Sequence, residues 1–291
     1  MENPGRGVWG QPKTVRLEAP AKINLCLAVT GRRDGYHLLD TVMQEVDLCD
    51  SLEIEMAEKT EVLCLGGQQL PNDNTAAKAA QLFFQESGIT GGARIRLWKR
   101  IPAQAGLGGG SSDGTAVLHG LNQLCGEPLT DAELGTLALR IGADCPFFLR
   151  GGTQRARGIG EQLIPVRNRC HFHFLLVKPD EGVPTAQAFA LADSLPPLAV
   201  DTEACVRALE AGSEEAYFSA AGNALEPAAR QIVPEIGRLG ALCLELGAGF
   251  WQMSGSGSCL FAAFADDTQR QAAFQRLSRE RHLFVLPVET V

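Results

Sequence analysis

The stretch PAQAGLGGGSSDGT, residues 102 to 115, determines how the rest of the chain is interpreted. Four glycines, Gly106 and Gly108 to Gly110, stand within five positions, and two serines follow them. Glycine loses chain entropy on folding and adds no side chain to a core, so such a run needs a local reason. A predicted strand, ARIRLWKRIP, precedes the run, and a predicted helix begins near Ser112. Well-patterned elements on both sides argue against a flexible linker.

A junction of this kind is typical of an anion-binding site. The N-terminus of a helix presents unpaired N–H groups and the positive end of the helix dipole. Glycines let successive N–H groups point inward around an anion, and serines add hydroxyls for a phosphate or a magnesium ion. The run lacks the lysine of GxxxxGK[ST] and the βαβ context of GxGxxG. The residues alone therefore predict a phosphate-binding loop without fixing its type.

Composition limits the classes of function. The chain has 291 residues, of which 45% are hydrophobic and 21% charged, as in soluble globular proteins. Its net charge of -8 opposes nucleic-acid binding through overall charge but allows a small anionic substrate. No apolar run approaches the roughly 18 residues of a membrane span. Nine widely spaced cysteines predict reduced thiols, and together with an N-terminus that lacks a signal-peptide pattern they indicate the cytoplasm.

The order of elements predicts an α+β fold in two lobes. Strand-like alternation dominates the front of the chain, beginning with residues 14–30, whereas helical spacing dominates behind residue 180. Asn72 or Asn74 can cap a helix that ends at Gly88, and Thr130 with Glu133 forms a capping-box pattern. The segment from Cys145 to Val166 reads as a strand pair interrupted by glycines. There is no regular βαβ alternation, so we predict two domains, 1–166 and 167–291.

Lys22 and Asp144 indicate a functional site only as a pair. Lys22 lies in PAKIN, on the strand face that Asn24 shares two positions later. A lysine on an edge strand most often faces solvent. Asp144, in IGADCPFF, most often would cap a turn before proline. As a pair, Lys22 and Asp144 could form a catalytic ion pair.

Three further motifs leave alternatives open. MSGSGS, residues 253 to 258, is a hairpin turn or a wall of a site. In DGYH, Tyr36 and His37 could stack on a flat ring or belong to a packed loop. Arg155 and Arg157 favour a solvated strand face, with a contact to a diphosphate as the alternative.

The order of four motifs resembles the GHMP kinase superfamily across residues 15 to 290. These motifs are PAKINLCLAVTGRRDGYH, IPAQAGLGGGSSDGTAVLHGLN, IGADCPFFLRGG and MSGSGSCLFAAF. The resemblance implies a two-lobed α+β GHMP kinase fold with the active site in the cleft between the lobes. It also implies an ATP- and magnesium-dependent kinase for a small alcohol, present as a monomer or weak homodimer.

Finer features narrow the resemblance. The triple glycine, TGRRDGYH and GADCPFF are similar to the branch that phosphorylates a cytidine diphosphate derivative of methylerythritol on its 2-hydroxyl, in the non-mevalonate route to isoprenoids. The alternative is a homoserine- or mevalonate-type kinase. A flat-ring sandwich made by Tyr36, His37 and Phe189 would have no use for those small substrates.

The resemblance also assigns residues to roles. Lys22 and Asp144 match the catalytic lysine and aspartate, and Ser112 is a candidate magnesium ligand. The residues matched to ATP binding are Pro102, Ala103, Gln104, Ala105, Gly106, Leu107, Gly108, Gly109, Gly110, Ser111, Ser112, Lys99 and Asn74. Those matched to the second substrate are Asn24, Tyr36, His37, Thr185, Phe189, Gly255 and Gly257. Asp113 departs from the pattern, and we expect this acid in the first helical turn, beside the phosphates and in competition with them.

Overall fold

A computed structural model describes residues 14–65, 70 and 74–291 and contains two sheets. The first sheet is organised by a long antiparallel hairpin that turns at Asp34 and Gly35. Its second strand pairs with two different strands along its other edge, one on each half. The strands of this sheet are β1 (Thr14–Arg33), β2 (Tyr36–Ala57), β3 (Glu61–Leu65), β4 (Gly92–Trp98), β5 (Thr153–Gly158) and β6 (Gln162–Pro165).

Four helices accompany the first sheet. They are α1 (Thr75–Ser87), α2 (Gly109–Leu124), α3 (Asp131–Ile141) and α4 (Cys145–Phe148). The predicted caps are confirmed: the Asn74 side chain accepts from the Ala77 amide at 2.9 Å, and Thr130 forms a capping box with Glu133. Asn72, the alternative cap, lies outside the described residues.

The second sheet is antiparallel, in the order β10-β7-β9-β8. Its strands are β7 (His173–Pro179), β8 (Phe250–Met253), β9 (Leu260–Phe264) and β10 (Leu283–Val288). The helices of this half are α5 (Thr185–Ala192), α6 (Thr202–Ala211), α7 (Glu214–Ala220), α8 (Glu226–Ile232), α9 (Glu235–Glu245) and α10 (Asp267–Leu277). Separate sheets with grouped helices confirm the α+β class.

The hydrophobic core connects the two halves. One cluster packs α1, α2 and α3 on the first sheet, and another packs α8, α9 and α10 on the second. A further cluster joins Ile23 of β1 to Phe174 and Phe261 of the second sheet. The first sheet ends at Pro165 and the second begins at His173. Because apolar packing is continuous between them, the domain boundary at 166/167 stays a prediction.

Two local expectations were wrong, and one helix was missed. Residues 145–148 form a short helix rather than a strand, and α8 was not predicted at all. Helix α2 begins at Gly109 instead of Ser112, because the glycines themselves make its first turn. Glycine has low helix propensity, so the sequence pattern does not predict a helix that starts at a glycine. In the folded protein, packing stabilises this start. Within the described ranges, no helix has the length and apolar character needed to cross a membrane.

Candidate active site

A cleft of about 780 Å³ contains most of the predicted site residues. All of them line it except Ser112, Tyr36 and His37. Its walls come from β1 and β2, the glycine loop, the start of α4, the 253–258 turn and α5. Lining residues that the sequence did not single out include Leu27, Leu39, Thr41, Met43, Leu70, Thr75, Leu97, Ile101, Gly160, Val183, Leu225 and Ser256. Most of these are apolar, and an apolar residue carries no local sign that it faces a ligand.

Lys22 lies in the wall of the cleft and is held there by hydrogen bonds. Its side chain is 4% exposed, and its Nζ donates to Asn24 Oδ1 at 2.6 Å and to the Gly106 carbonyl at 3.0 Å. The same Nζ lies 3.5 Å from Asp144 Oδ2, so the predicted ion pair forms. The shared strand face of Lys22 and Asn24 is also confirmed. The solvent-facing interpretation of Lys22 is wrong.

Asp144 presents a carboxylate to the cleft. It stands at the N-cap position of α4, but its side chain accepts no capping hydrogen bond and is 40% exposed. The interpretation as a cap before proline is therefore wrong. The Lys22 ammonium places a positive charge beside this carboxylate. The pair can thus offer a proton acceptor and a positive charge within a few ångströms of each other.

The glycines are required by close backbone contacts. Gly106 has a φ of 72°, and a Cβ there would lie 2.0 Å from the Ser254 carbonyl oxygen. Gly108 also has a φ of 72°, and a Cβ there would lie 2.8 Å from the Phe148 ring. The loop can therefore enter α2 with its first amides directed at the cleft. The N–H groups of a helix's first turn have no partner within the helix and bind anions.

The 253–258 turn is hydrogen-bonded to the glycine loop and stabilises it. The amides of Ser258 and Cys259 donate to the carbonyls of Gln104 and Ala105, each at 3.2 Å. Asn223 Nδ2 donates to the carbonyls of Met253 and Gly255, each at 2.8 Å. The turn is thus both a hairpin connection and a wall of the site. Asn223 was missed because it lies about 30 residues away in the chain.

A second charged cluster lies beside the glycine loop, where a Cβ on Gly109 would lie 3.5 Å from Lys99 Nζ. Lys99 Nζ donates to Asp113 Oδ2 at 2.6 Å and to Asp50, whose other oxygen accepts from the Ile101 amide at 2.9 Å. Burial raises the pKa of Asp113 to about 7; nearby Asp50 acts in the same direction, and Lys99 opposes it. Burial lowers the pKa of Lys99, but the two carboxylates raise it more.

The expected helical turn of Asp113 was wrong. Because α2 begins at Gly109, Asp113 lies in the second turn, where it pairs with Lys99. Asp113 lines the cleft, and its place beside the phosphates stays a prediction. Its side chain is 4% exposed. Asp50 was missed, since nothing local in VDLCDS marks it as a buried ion-pair partner.

The aromatic residues form a separate group, of which Phe189 lines the cleft. His37 stacks on Phe189 with ring centroids 4.5 Å apart, and His37 Nε2 lies 2.8 Å from Asp193 Oδ1. This hydrogen bond lowers the pKa of Asp193. Tyr36 is 65% exposed. Because the His37 and Phe189 rings already stack on each other, no flat ring fits between them. A nucleobase that stacks here would use Tyr36 or the other face of Phe189.

Arg155 does not line the cleft, and it is buried, so its interpretation as part of a solvated strand face was wrong, whereas the contact to a diphosphate stays untested. Its guanidinium donates to both carboxylate oxygens of Asp40, at 2.8 and 2.7 Å, and to Glu203 at 2.6 Å. These bonds, the Asp40 pair foremost, raise the pKa of Arg155. Arg155 therefore joins β5 to β2 and α6. Arg157 Nε lies 3.7 Å from Asp40, and its side chain is 43% exposed.

The donor groups suit a magnesium ion that arrives with nucleotide phosphates. In the described ranges, no three His, Cys, Asp or Glu side chains are grouped closely enough to hold a metal. Magnesium commonly takes one or two carboxylates together with substrate phosphates, and Asp144 supplies one beside the loop. The Ser112 hydroxyl is buried and has no hydrogen-bond partner. Ser112 does not line the cleft, so its place as a magnesium ligand stays a prediction.

Comparison with known proteins agrees with this geometry. Residues 74–152 match the GHMP kinases N terminal domain, and residues 203–282 match the GHMP kinases C terminal domain. A 4-diphosphocytidyl-2-C-methyl-D-erythritol kinase of Desulfitobacterium hafniense is 39% identical, over 95% of this chain and 96% of that protein. A crystal structure of 4-(cytidine 5'-diphospho)-2C-methyl-D-erythritol kinase has a TM-score of 0.78 and 34% identity, covering 95% of this chain and all of the other.

Homoserine kinase from Cytophaga hutchinsonii shares the fold at a TM-score of 0.75, with 19% identity and 98% of each chain covered. That likeness concerns the fold alone. The two matched family domains and the 39% identity over nearly the whole length show the family as well as the fold. The chain belongs to the GHMP kinase family and is a small-molecule kinase.

Proposed function

We propose that this kinase transfers the γ-phosphoryl group of ATP to the 2-hydroxyl of 4-diphosphocytidyl-2-C-methyl-D-erythritol. The products are the 2-phosphate and ADP, in the non-mevalonate route to isoprenoid precursors. The observation that carries the chemistry is the Lys22–Asp144 pair, 3.5 Å apart, beside an amide-lined glycine loop in one cleft. The choice of substrate is supported by relatives of that name at 39% identity.

The nucleotide would lie along the glycine loop. The first amides of α2, those of Gly109, Gly110 and Ser111, would bind phosphate oxygens, helped by the helix dipole. Beyond them, Leu70 and Leu97 give the cleft an apolar end, bordered by Lys99 and Asn74, that suits a nucleoside. A magnesium ion bound with the nucleotide would neutralise part of the phosphate charge, with Asp144 as its protein carboxylate.

The acceptor hydroxyl would approach between the loop and Asp144. Phosphoryl transfer has a loose transition state, so positioning and charge balance matter more than covalent help from the protein. Asp144 would accept a hydrogen bond from the 2-hydroxyl, align it, and take its proton as the new O–P bond forms. Lys22 would hold its positive charge beside Asp144 and offset negative charge on the moving phosphoryl group.

The cytidine end of the substrate would reach the aromatic residues. Phe189 and Thr185 line the cleft there, and His37 and Tyr36 stand next to them. We expect Phe189→Leu to raise KM for the cytidyl substrate about tenfold through lost stacking, and to leave KM for ATP within about twofold. Initial rates with each substrate varied in turn measure this. An equal rise in both KM values would contradict the placement of the base.

A coupled assay of ADP release tests the proposed activity directly. The purified protein receives ATP and magnesium with the cytidyl substrate, with homoserine or with mevalonate. Turnover should require the cytidyl compound, and product analysis by phosphorus NMR should locate the new phosphate on the 2-oxygen. Release with homoserine or mevalonate, and none with the cytidyl compound, would overturn the proposal.

We further propose a cytoplasmic monomer or weak homodimer that binds neither nucleic acid nor membranes.

A further inference from the structure

Thr41 lies in the cleft wall next to Asn24, and its hydrogen bonds lead to the catalytic lysine. The Thr41 hydroxyl lies 2.6 Å from the Cys26 carbonyl and 2.8 Å from Asn24 Nδ2. On the other side of the amide, Asn24 Oδ1 lies 2.6 Å from Lys22 Nζ. Thr41, Asn24 and Lys22 are each 3% exposed, so water does not compete for these bonds.

The direction of every bond in this chain is fixed by chemistry. A hydroxyl has one hydrogen, and a carbonyl can only accept, so Thr41 must donate to Cys26. The Thr41 oxygen can then only accept, which requires the NH₂ group of Asn24 to face it. An ammonium can only donate, which requires the Asn24 oxygen to face Lys22. Both ends therefore demand the same orientation of the amide.

This orientation determines where the lysine hydrogens point. An ammonium has three, and two are taken by Asn24 and by the Gly106 carbonyl at 3.0 Å. The third is left for the direction of Asp144, 3.5 Å away. The chain starts at a backbone carbonyl of β1, next to an irregularity in its pairing with β2 between Asn24 and Cys26. Bulges of this kind commonly redirect side chains beside active sites.

We propose that Thr41 is a positioning residue of the kinase, which holds the Asn24 amide so that Lys22 directs its remaining hydrogen toward Asp144 and the transferred phosphoryl group. This inference rests on the proposed function of Lys22 and Asp144. Without the Thr41 hydroxyl, the buried NH₂ group of Asn24 has no acceptor, and the amide is free to rotate. A rotated amide would turn donors toward the ammonium and displace it.

The test compares Thr41→Val with Thr41→Ser in the ADP-release assay. We expect Thr41→Val to lower kcat about tenfold or more while both KM values change less than about threefold, because a misdirected charge costs transition-state stabilisation. Thr41→Ser keeps the hydroxyl and should stay within about twofold of the unmodified protein. Thr202→Val is the matched control: it removes a buried hydroxyl that donates to the Asp40 carbonyl at 3.2 Å, outside the cleft.

A double-mutant cycle separates positioning from direct substrate contact. In an Asn24→Ala background, Thr41→Val should have no further effect on kcat, since the amide it orients is gone. A tenfold loss that persists in that background, or a Thr41→Val variant with unchanged kcat, would overturn the inference. Should Thr41→Val fail to fold, Thr41→Cys, which keeps the volume but bonds weakly, must show the same loss. Absence of turnover in the unmodified protein would instead count against the proposed function.

Discussion

The two buried lysines of the cleft differ in the number of carboxylates they face. Lys22 pairs with one aspartate, Asp144, whose side chain is 40% exposed. Lys99 faces two aspartates, Asp50 and Asp113, with side chains 0% and 4% exposed. The first arrangement leaves a carboxylate free to meet a ligand. The second places two carboxylates in the interior beside one ammonium; burial raises the pKa of Asp113 to about 7, and Asp50 adds to the rise.

The difference indicates that the two lysine–aspartate clusters have different roles, one in binding and chemistry and the other in stability. Lys22 is buried but Asp144 is partly exposed, so this carboxylate costs little desolvation and stays available to substrate. A buried triad gains its stability from mutual attraction and from the backbone amides that bond Asp50, and it loses much if one member is removed. We therefore expect changes at Asp144 to affect turnover and changes at Lys99 to affect folding.

The largest effect is expected for Asp144→Asn. The amide keeps the shape but cannot take the hydroxyl proton or balance Lys22, so kcat should fall by about a hundredfold or more. KM for both substrates should change less than about threefold, and the melting temperature should change little because the side chain is partly exposed. Steady-state kinetics and thermal unfolding measure both. Asp180→Asn, an exposed aspartate outside the cleft, is the control.

If the Asp144→Asn variant retains kcat within a few-fold, Asp144 is not the residue that handles the hydroxyl. A large rise in KM at unchanged kcat would instead make Asp144 a substrate-binding group. Either result would remove the functional contrast between the two lysine clusters.

Lys99→Met should mainly destabilise the fold. It leaves Asp50 and Asp113 buried together without a cation, which we expect to cost about 3–5 kcal/mol of unfolding free energy at pH 8. The cost should be smaller at pH 5, where Asp113 holds a proton. Urea unfolding at both pH values measures the difference, with the exposed Lys59→Met as control.

A second substitution sharpens this test. Adding Asp113→Asn to Lys99→Met removes one of the two opposed charges, so the double variant should be more stable than Lys99→Met alone at pH 8. Equal stability of the two variants would mean that the triad does not interact as its distances indicate.

The sequence predicted what depends on local pattern. The shared strand face of Lys22 and Asn24, the cap at Asn74 and the capping box at Thr130 all follow from spacing within a few residues. The glycine loop was recognised because strand and helix flank it directly. Its role in ATP binding was inferred from the order of the four motifs along the chain, which resembles that of the family.

What the sequence could not predict depends on contacts between distant segments. Asp50 and Lys99 are 49 positions apart, and neither stretch marks them as partners. The start of α2 was placed three residues late because glycine disfavours helix on its own, whereas packing of Gly106 against Ser254 fixes the loop. That error placed Asp113 in the first turn of the helix instead of the second. The four-residue α4 is too short to show a helical period.

The smallest effect, and the one most specific to the buried triad, is the pH dependence of Asp113. Its pKa is about 7 in the folded protein against an ordinary value of 3.8, so the folded state keeps a proton that the unfolded chain releases. Stability from this group is therefore complete below about pH 4, falls as the pH rises toward 7, and is flat above it. Asp113→Asn should remove that fall and leave Lys99 and Asp50 paired one to one. We expect the variant to gain about 1–3 kcal/mol relative to the unmodified protein between pH 5 and pH 8, measured by urea unfolding, with Asp180→Asn showing no such change. Parallel stability profiles of the Asp113→Asn variant and the unmodified protein would show that Asp113 is ionised throughout, and the two lysine clusters would then differ in burial alone.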